Sequence, residues 1–248
     1  MVKGLDTFQK YFADYEEQYV LIGGAACDIL FESNEVNFRA TRDLDMVLIV
    51  EALTPEFGEK FWKFIVDGKY RNKATNGSNP QFYRFDKPED DNFPKMIELF
   101  CRSDFKLKDA KGITPIHIDD EFLSLSAILL NDDYYKALLN GKEVRKGLSV
   151  LRPEYIILFK AKAYLDLKKQ KDLGEKVDSS DIKKHKKDVL RIASELMLEK
   201  VEELPIAVDA DIHSFIDLLE QEPFDQNSLK RFGLKNEDVV EVLKQVFG

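Results

Sequence analysis

Cysteine is what this 248-residue chain has least reason to use: Cys27 and Cys101 are its only two. Neither sits in a C-x-x-C spacing, which argues against a zinc site and a disulfide framework and for reduced thiols. No apolar run approaches the roughly 20 residues that span a bilayer, so no membrane association is expected. Residues 1–10 lack the apolar core of a signal peptide, which makes a cytoplasmic location the expectation. Positive charge is scarce too. The net charge of −9 excludes a protein that coats nucleic acid nonspecifically, while leaving room for a local basic patch. There is no internal repeat and no long low-complexity stretch.

What remains is the composition of an ordinary globular protein, 44% apolar and 33% charged, long enough for one large domain or two small ones. Leu5, Phe8, Tyr11, Phe12 and Tyr15 fall at helical spacing. Residues 19–22 predict a short buried strand, followed by Gly23 and Gly24 and then a helix over 25–31. Residues 32–42 are polar and loop-like, and 44–50 predict a strong strand. Pro55 opens a helix through Phe57, Phe61, Phe64 and Ile65. Residues 71–80 are turn-forming. Strands are expected at 81–86 and 95–102, as a hairpin around the acidic loop 87–94, and another at 113–118. Residues 122–130 are ambiguous by periodicity. Helices are expected at 153–171, 181–199, 212–221 and 236–247, with 172–180 as a connector and Ser179 or Ser180 as a cap. The expectation is therefore an α+β protein: a mixed sheet with flanking helices over 1–150, then a helical domain over 151–248.

The residues with chemical potential begin with Asp43 and Asp45. Strand alternation puts both carboxylates on one face and Leu44 on the other. Two like charges that close repel each other, and a divalent cation relieves the repulsion; magnesium typically takes one or two carboxylates plus substrate phosphates. A bare Asp-x-Asp is commonly just a solvated strand entrance. Glu98 changes the balance, because it stands inside the apolar strand 96–100, where a charge is costly unless paired or bound to metal. Three carboxylates from two neighbouring strands can hold one or two metal ions for displacement at phosphorus. Gly23 and Gly24, between a strand and a helix, let backbone approach a phosphate at a helix N-terminus, although a plain tight turn uses the same residues.

In the helical part, Lys160 falls on the stripe Ile156, Ala163, Tyr164, Leu167, where a lysine either snorkels or meets an anion. Asp188 borders the core side of the next helix and could pair with Lys184, Arg191 or Lys160. Lys183, Lys184, Lys186, Lys187 and Arg191 form the only dense basic patch, either a solvated helix face or a surface for a triphosphate or RNA backbone. His185 reads as a surface residue with no triad or metal cluster around it.

Gly23-Gly24 after a strand, followed by Asp43-Leu44-Asp45 on the next, resembles the DNA polymerase β-like nucleotidyltransferases. The long interval from Gly24 to Asp43, with Arg39-x-Thr41 leading in, is similar to the AbiEii branch of toxins from abortive-infection and toxin–antitoxin systems. Leu158-Phe159-Lys160-Ala161-Lys162-Ala163 resembles that family's lysine helix, with Lys162 a competing choice, and Lys187-Asp188 resembles its basic-residue-plus-aspartate helix. The resemblance spans about residues 19–198.

It implies the nucleotidyltransferase fold and metal-dependent nucleotidyl transfer from a nucleoside triphosphate to tRNA, protein or a small molecule. Asp43, Asp45 and Glu98 would bind magnesium, or manganese in its place, with Glu98 alternatively a base toward the acceptor hydroxyl. Gly23, Gly24, Arg39 and Thr41 would hold the nucleotide, Lys160 would contact the triphosphate, and Asp188 would orient Lys160 or the acceptor. A cognate antitoxin would be a partner. Two other functions remain open: a nucleotide-sugar glycosyltransferase using Asp43-x-Asp45, which leaves the glycine pair unexplained, and a non-catalytic nucleotide-binding module.

Overall fold

The computed structural model describes residues 2–32, 43–72, 82–101 and 131–248. Arg39, Thr41, the expected strand at 113–118 and the ambiguous stretch 122–130 lie outside the described residues. The chain divides into two compact units. The first draws on the described residues of Met1–Ile118 and Lys142–Leu151, the second on those of Asp119–Gly141 and Arg152–Gly248.

The first unit is built on a mixed sheet. Its strands are β1 (Tyr19–Leu21), β2 (Asp43–Leu48), β3 (Arg71–Asn72), β4 (Phe82–Asp86), β5 (Met96–Cys101), β6 (Lys142–Arg145) and β7 (Leu148–Leu151). Their order across the sheet is β3-β4-β5-β2-β1-β7-β6. β2 runs parallel to β5 and antiparallel to β1; β4 and β5 form the expected antiparallel pair. Among the described residues, the helices that accompany the sheet are α1 (Leu5–Phe12), α2 (Gly23–Glu32) and α3 (Pro55–Asp67). α3 starts where the sequence says it should, with Pro55 in its first turn and the Thr54 hydroxyl accepting from the Phe57 N–H at 3.3 Å, a cap worth about 1 kcal/mol.

Alternation along β2 buries Leu44, Met46 and Leu48 fully, on the face shared with Tyr19 and Leu21 of β1. That face meets an aromatic core from α1 and α3: Phe8 stands edge-on to Tyr19 at 5.5 Å and Phe61 to Phe85 at 5.6 Å. Phe64 is the hub, with Tyr11 and Phe93 each 5.0 Å away, Phe12 at 5.4 Å and Phe8 at 5.7 Å. Replacing Phe64 with alanine should cost about 3–5 kcal/mol in urea unfolding, because Phe8, Tyr11 and Phe12 are fixed together on α1 and cannot all close on the void. A loss under about 1 kcal/mol would mean that this core is loosely packed.

The second unit holds α4 (Asp132–Asn140), α5 (Pro153–Asp172), α6 (Ser179–Glu195), α7 (Ile206–Gln221), α8 (Gln226–Phe232) and α9 (Asn236–Phe247). α4 and α8 carry no strong signal in the sequence. α4 lies within the first 150 residues yet is tied to α7 and α5: Tyr134 donates to Asp211 at 3.0 Å and stacks edge-on to Phe159 at 5.5 Å. The hairpin β6–β7 is likewise unforeseen; it turns on Lys146 and Gly147, both at positive φ (53° and 67°), the geometry of a type I′ turn. The cap of α6 is Asp178, whose carboxylate accepts from the Ser180 N–H at 2.8 Å, rather than either serine. None of the described helices is long and apolar enough to cross a membrane. The expected α+β architecture, a mixed sheet with helices followed by a helical region, is what forms.

Candidate active site

Gly23 opens α2 with φ +61°, a left-handed value that side-chain-bearing residues seldom adopt. A Cβ placed there would collide with Oδ2 of Asp45. The glycine is therefore required twice, by backbone conformation and by the nearness of a carboxylate. The Ile22 N–H donates to the Asp45 carbonyl at 3.0 Å, which pins the turn to β2. Gly24 is buried within α2. The helix begins at the glycine pair itself, two residues earlier than the sequence suggests, so the N–H groups of its first turn lie beside the aspartate strand.

Asp43 and Asp45 stand on the face of β2 opposite Leu44 and Met46, and both are half-buried. Asp45 is directly opposite Glu98 in the parallel β2–β5 pairing, and Glu98 is directly opposite Arg84 in the antiparallel β5–β4 pairing. Residues opposed in this way share a face. The result is a row of side chains, Asp45, Glu98, Arg84, running across three strands. Glu98 is buried, and both Nε and Nη2 of Arg84 donate to its Oε1 at 2.7 Å. A hydrogen bond joins Glu98 to Asp45. Two carboxyl groups can be that close only with a proton or a cation between them. Arg84 is the member of the row that sequence reading misses.

The Glu98 carboxyl is pushed up to about 9, by burial above all, then by the charge and hydrogen bond of Asp45 and, less, by Asp43, with Arg84 opposing them. Glu98 thus holds its proton at neutral pH when no cation is present. The consequence for stability has a definite sign. The folded state binds this proton more tightly than the unfolded chain, whose glutamates titrate near 4.5. The contribution is complete below about pH 4.5 and is lost as pH rises toward 9. In EDTA, the melting temperature of the wild type should therefore fall more steeply between pH 5 and 9 than that of Glu98→Gln, which has nothing to titrate. Parallel curves would remove this account of the carboxylate row.

The donor chemistry of the row suits a hard divalent cation, since carboxylate oxygens are the donors that Asp43, Asp45 and Glu98 bring to this face. Among the described residues, no set of three His, Cys, Asp or Glu side chains is gathered into metal-ligating geometry. Arg84 engages one of the two Glu98 oxygens.

The remaining candidates belong to the second unit. Lys160 on α5 and Asp188 on α6, both buried, form an ion pair at 3.0 Å, one of the pairings open to Asp188 on sequence grounds. Lys162 lies on a different side, bridging Asp166 at 3.0 Å and Asp211 at 3.2 Å. His185 is buried, not on the surface as its polar surroundings in sequence suggest; the core side of α6 includes it, together with Asp188, Val189 and Ile192.

The chain's sequence matches no protein-family model and no curated protein. Among solved structures, it is similar to the crystal structure of an antigenic nucleotidyltransferase-like protein from Paracoccidioides brasiliensis, at 15% identity and a TM-score of 0.47, over 97% of this chain and 93% of that one.

Proposed function

We propose that this protein is a metal-dependent nucleotidyltransferase. The observation that carries the reading is the left-handed Gly23 closing on the Asp45 carboxylate, with Asp43, Asp45 and Glu98 on one face of adjacent parallel strands. A strained glycine turn at a helix start beside a carboxylate pair brings backbone N–H groups and metal-binding oxygens to the same place, which is what a nucleoside triphosphate needs.

In this reading Asp43 and Asp45 hold magnesium or manganese, with the Glu98 oxygen not engaged by Arg84 as a further donor. The cation would neutralise phosphate charge and favour in-line displacement at the α-phosphorus. The glycine turn presents N–H groups to the phosphates. In place of that metal-donor role, Glu98 would act as the base, taking the proton of the attacking hydroxyl as the new P–O bond forms and the bond to the β-phosphate breaks, releasing pyrophosphate. Lys160 is the better of the two lysines for a triphosphate-contacting role, because Asp188 holds it in place while Lys162 is already shared between two carboxylates.

The acceptor is tRNA or protein in this proposal, and the biological role is that of a toxin restrained by an antitoxin. The test is incubation of the full chain with each α-labelled triphosphate, magnesium, and total RNA or lysate. Label in RNA or protein with release of pyrophosphate is expected. No transfer from any triphosphate, or release of a nucleoside diphosphate from a sugar donor instead, would overturn the reading.

A further inference from the structure

The second unit contains a pocket of about 680 Å³ between the C-terminal half of α5, the start of α6, and the segment leading into α8. That size accommodates a small ligand. Its lining is unusual for a protein of net charge −9: five lysines against three carboxylates. Of these carboxylates, Glu222 is paired with a lysine. Glu222 accepts from Lys168 at 2.6 Å and from the Tyr164 hydroxyl at 3.3 Å. Asp225 caps α8, accepting from the Ser228 N–H at 2.9 Å and hydroxyl at 2.8 Å.

The lysines are held differently. Lys186 is half-buried, and its ammonium donates to the backbone carbonyls of Glu222 and, at 3.2 Å, of Pro223. It lies 5.7 Å from the ring centre of Tyr164 and 5.4 Å from that of Phe224. Carbonyls and rings orient an ammonium but leave its net charge intact. Lys171 donates to the hydroxyl of Ser179, another neutral partner. Lys183 is exposed and makes no ion pair with the described residues. Lys168 is thus paired with Glu222, while Lys171 and Lys186 are satisfied by neutral acceptors and keep their charge. The rings hold an ammonium in place, so what the pocket offers a ligand is positive charge and N–H donors.

We propose that this pocket binds a ligand carrying several adjacent phosphate groups, either a free oligophosphate or the backbone of a short RNA strand. The proposal stands apart from nucleotidyl transfer and needs neither metal nor the carboxylate row. Tripolyphosphate is the probe, titrated by calorimetry into the full chain in EDTA at low salt. Saturable binding is expected, weakening by about tenfold or more in Lys171→Gln/Lys183→Gln/Lys186→Gln and weakening steadily with added salt. Because Lys186 is packed, the exposed pair Lys171→Gln/Lys183→Gln is tested beside it, with a thermal melt to show that each is folded; a loss of at least about threefold is expected there. Asp43→Asn/Asp45→Asn should bind as the wild type does. No saturable binding, unchanged affinity in the folded lysine variants, or loss of binding in the aspartate variant would each overturn the proposal. A ten-nucleotide RNA identifies the source: displacement of tripolyphosphate points to a nucleic-acid backbone, and failure to displace it points to a free oligophosphate.

Discussion

Asp45→Asn should abolish labelled transfer, by about a thousandfold or more, and should leave the protein at least as stable as before. The loss follows from the proposed role, since a neutral amide cannot hold a divalent cation against solvent, and a thousandfold corresponds to about 4 kcal/mol of transition-state stabilisation. The stability arm follows from electrostatics alone. Asp45 presses on the buried Glu98 with its charge and helps to push that carboxyl up to about 9. Removing the charge removes the repulsion that Glu98 meets when it ionises, so the gain, about 1 kcal/mol in scale, is to be read in EDTA as pH rises toward 9, while at neutral pH the two proteins should melt alike. An inactive protein that melts higher toward pH 9 is the signature of a residue kept for chemistry at the expense of packing. Gly23→Ala is its companion: the methyl meets the Asp45 carboxylate and the left-handed backbone resists alanine, so transfer should fall while Asp43 and Asp45 remain present. Full activity in Asp45→Asn, or unfolding in place of stabilisation, would show that the carboxylate serves the fold.

How much of this site could be read from residues alone depends on whether the signal is local. Asp43 and Asp45 are two apart on one strand, and alternation puts them on one face whatever else the chain does. Glu98 is conspicuous because apolar residues flank it on both sides. Arg84 escapes because its meaning depends on register. Pairing it with Glu98 requires knowing how strands on either side of residues 87–95 align, and no turn residue in that loop fixes the alignment as an Asn-Gly pair would. The usable clue is the opposite charge that Arg84 offers Glu98 across the hairpin. The glycine pair is legible as a turn, but its closeness to Asp45 is not, since that depends on β1 and β2 running antiparallel with Leu21 opposite Met46. The fold shows the same division. Long periodic helices such as Pro153–Asp172 declare themselves; the short β6–β7 hairpin, turning on Lys146-Gly147, and the seven-residue α8 do not. His185 reads as solvated because α6 is rich in lysine, and a single histidine within Lys184-His185-Lys186 shows its burial only once the helix is docked.

Asp188→Ala should destabilise the chain by about 3–5 kcal/mol, the usual cost of stranding one member of a buried ion pair. Lys160 is 8% exposed, and the carboxylate removed is the one 3.0 Å from it. The cost arises from the charge left behind, not from the strength of the pair, and the double variant Lys160→Met/Asp188→Leu separates the two. Both charges leave together and apolar volume replaces them, so most of the lost stability should return. That recovered protein is also the informative one for function. If the pair serves only the helical unit, the double variant folds and transfers nucleotide with an unchanged KM for the triphosphate. If Lys160 contacts the triphosphate, as proposed, the double variant folds but its KM rises by about tenfold or more, in keeping with a lost charge-assisted contact. Urea unfolding of the two single variants and the double, with KM measured on the folded double variant, decides between a pair that only packs and a pair that also binds.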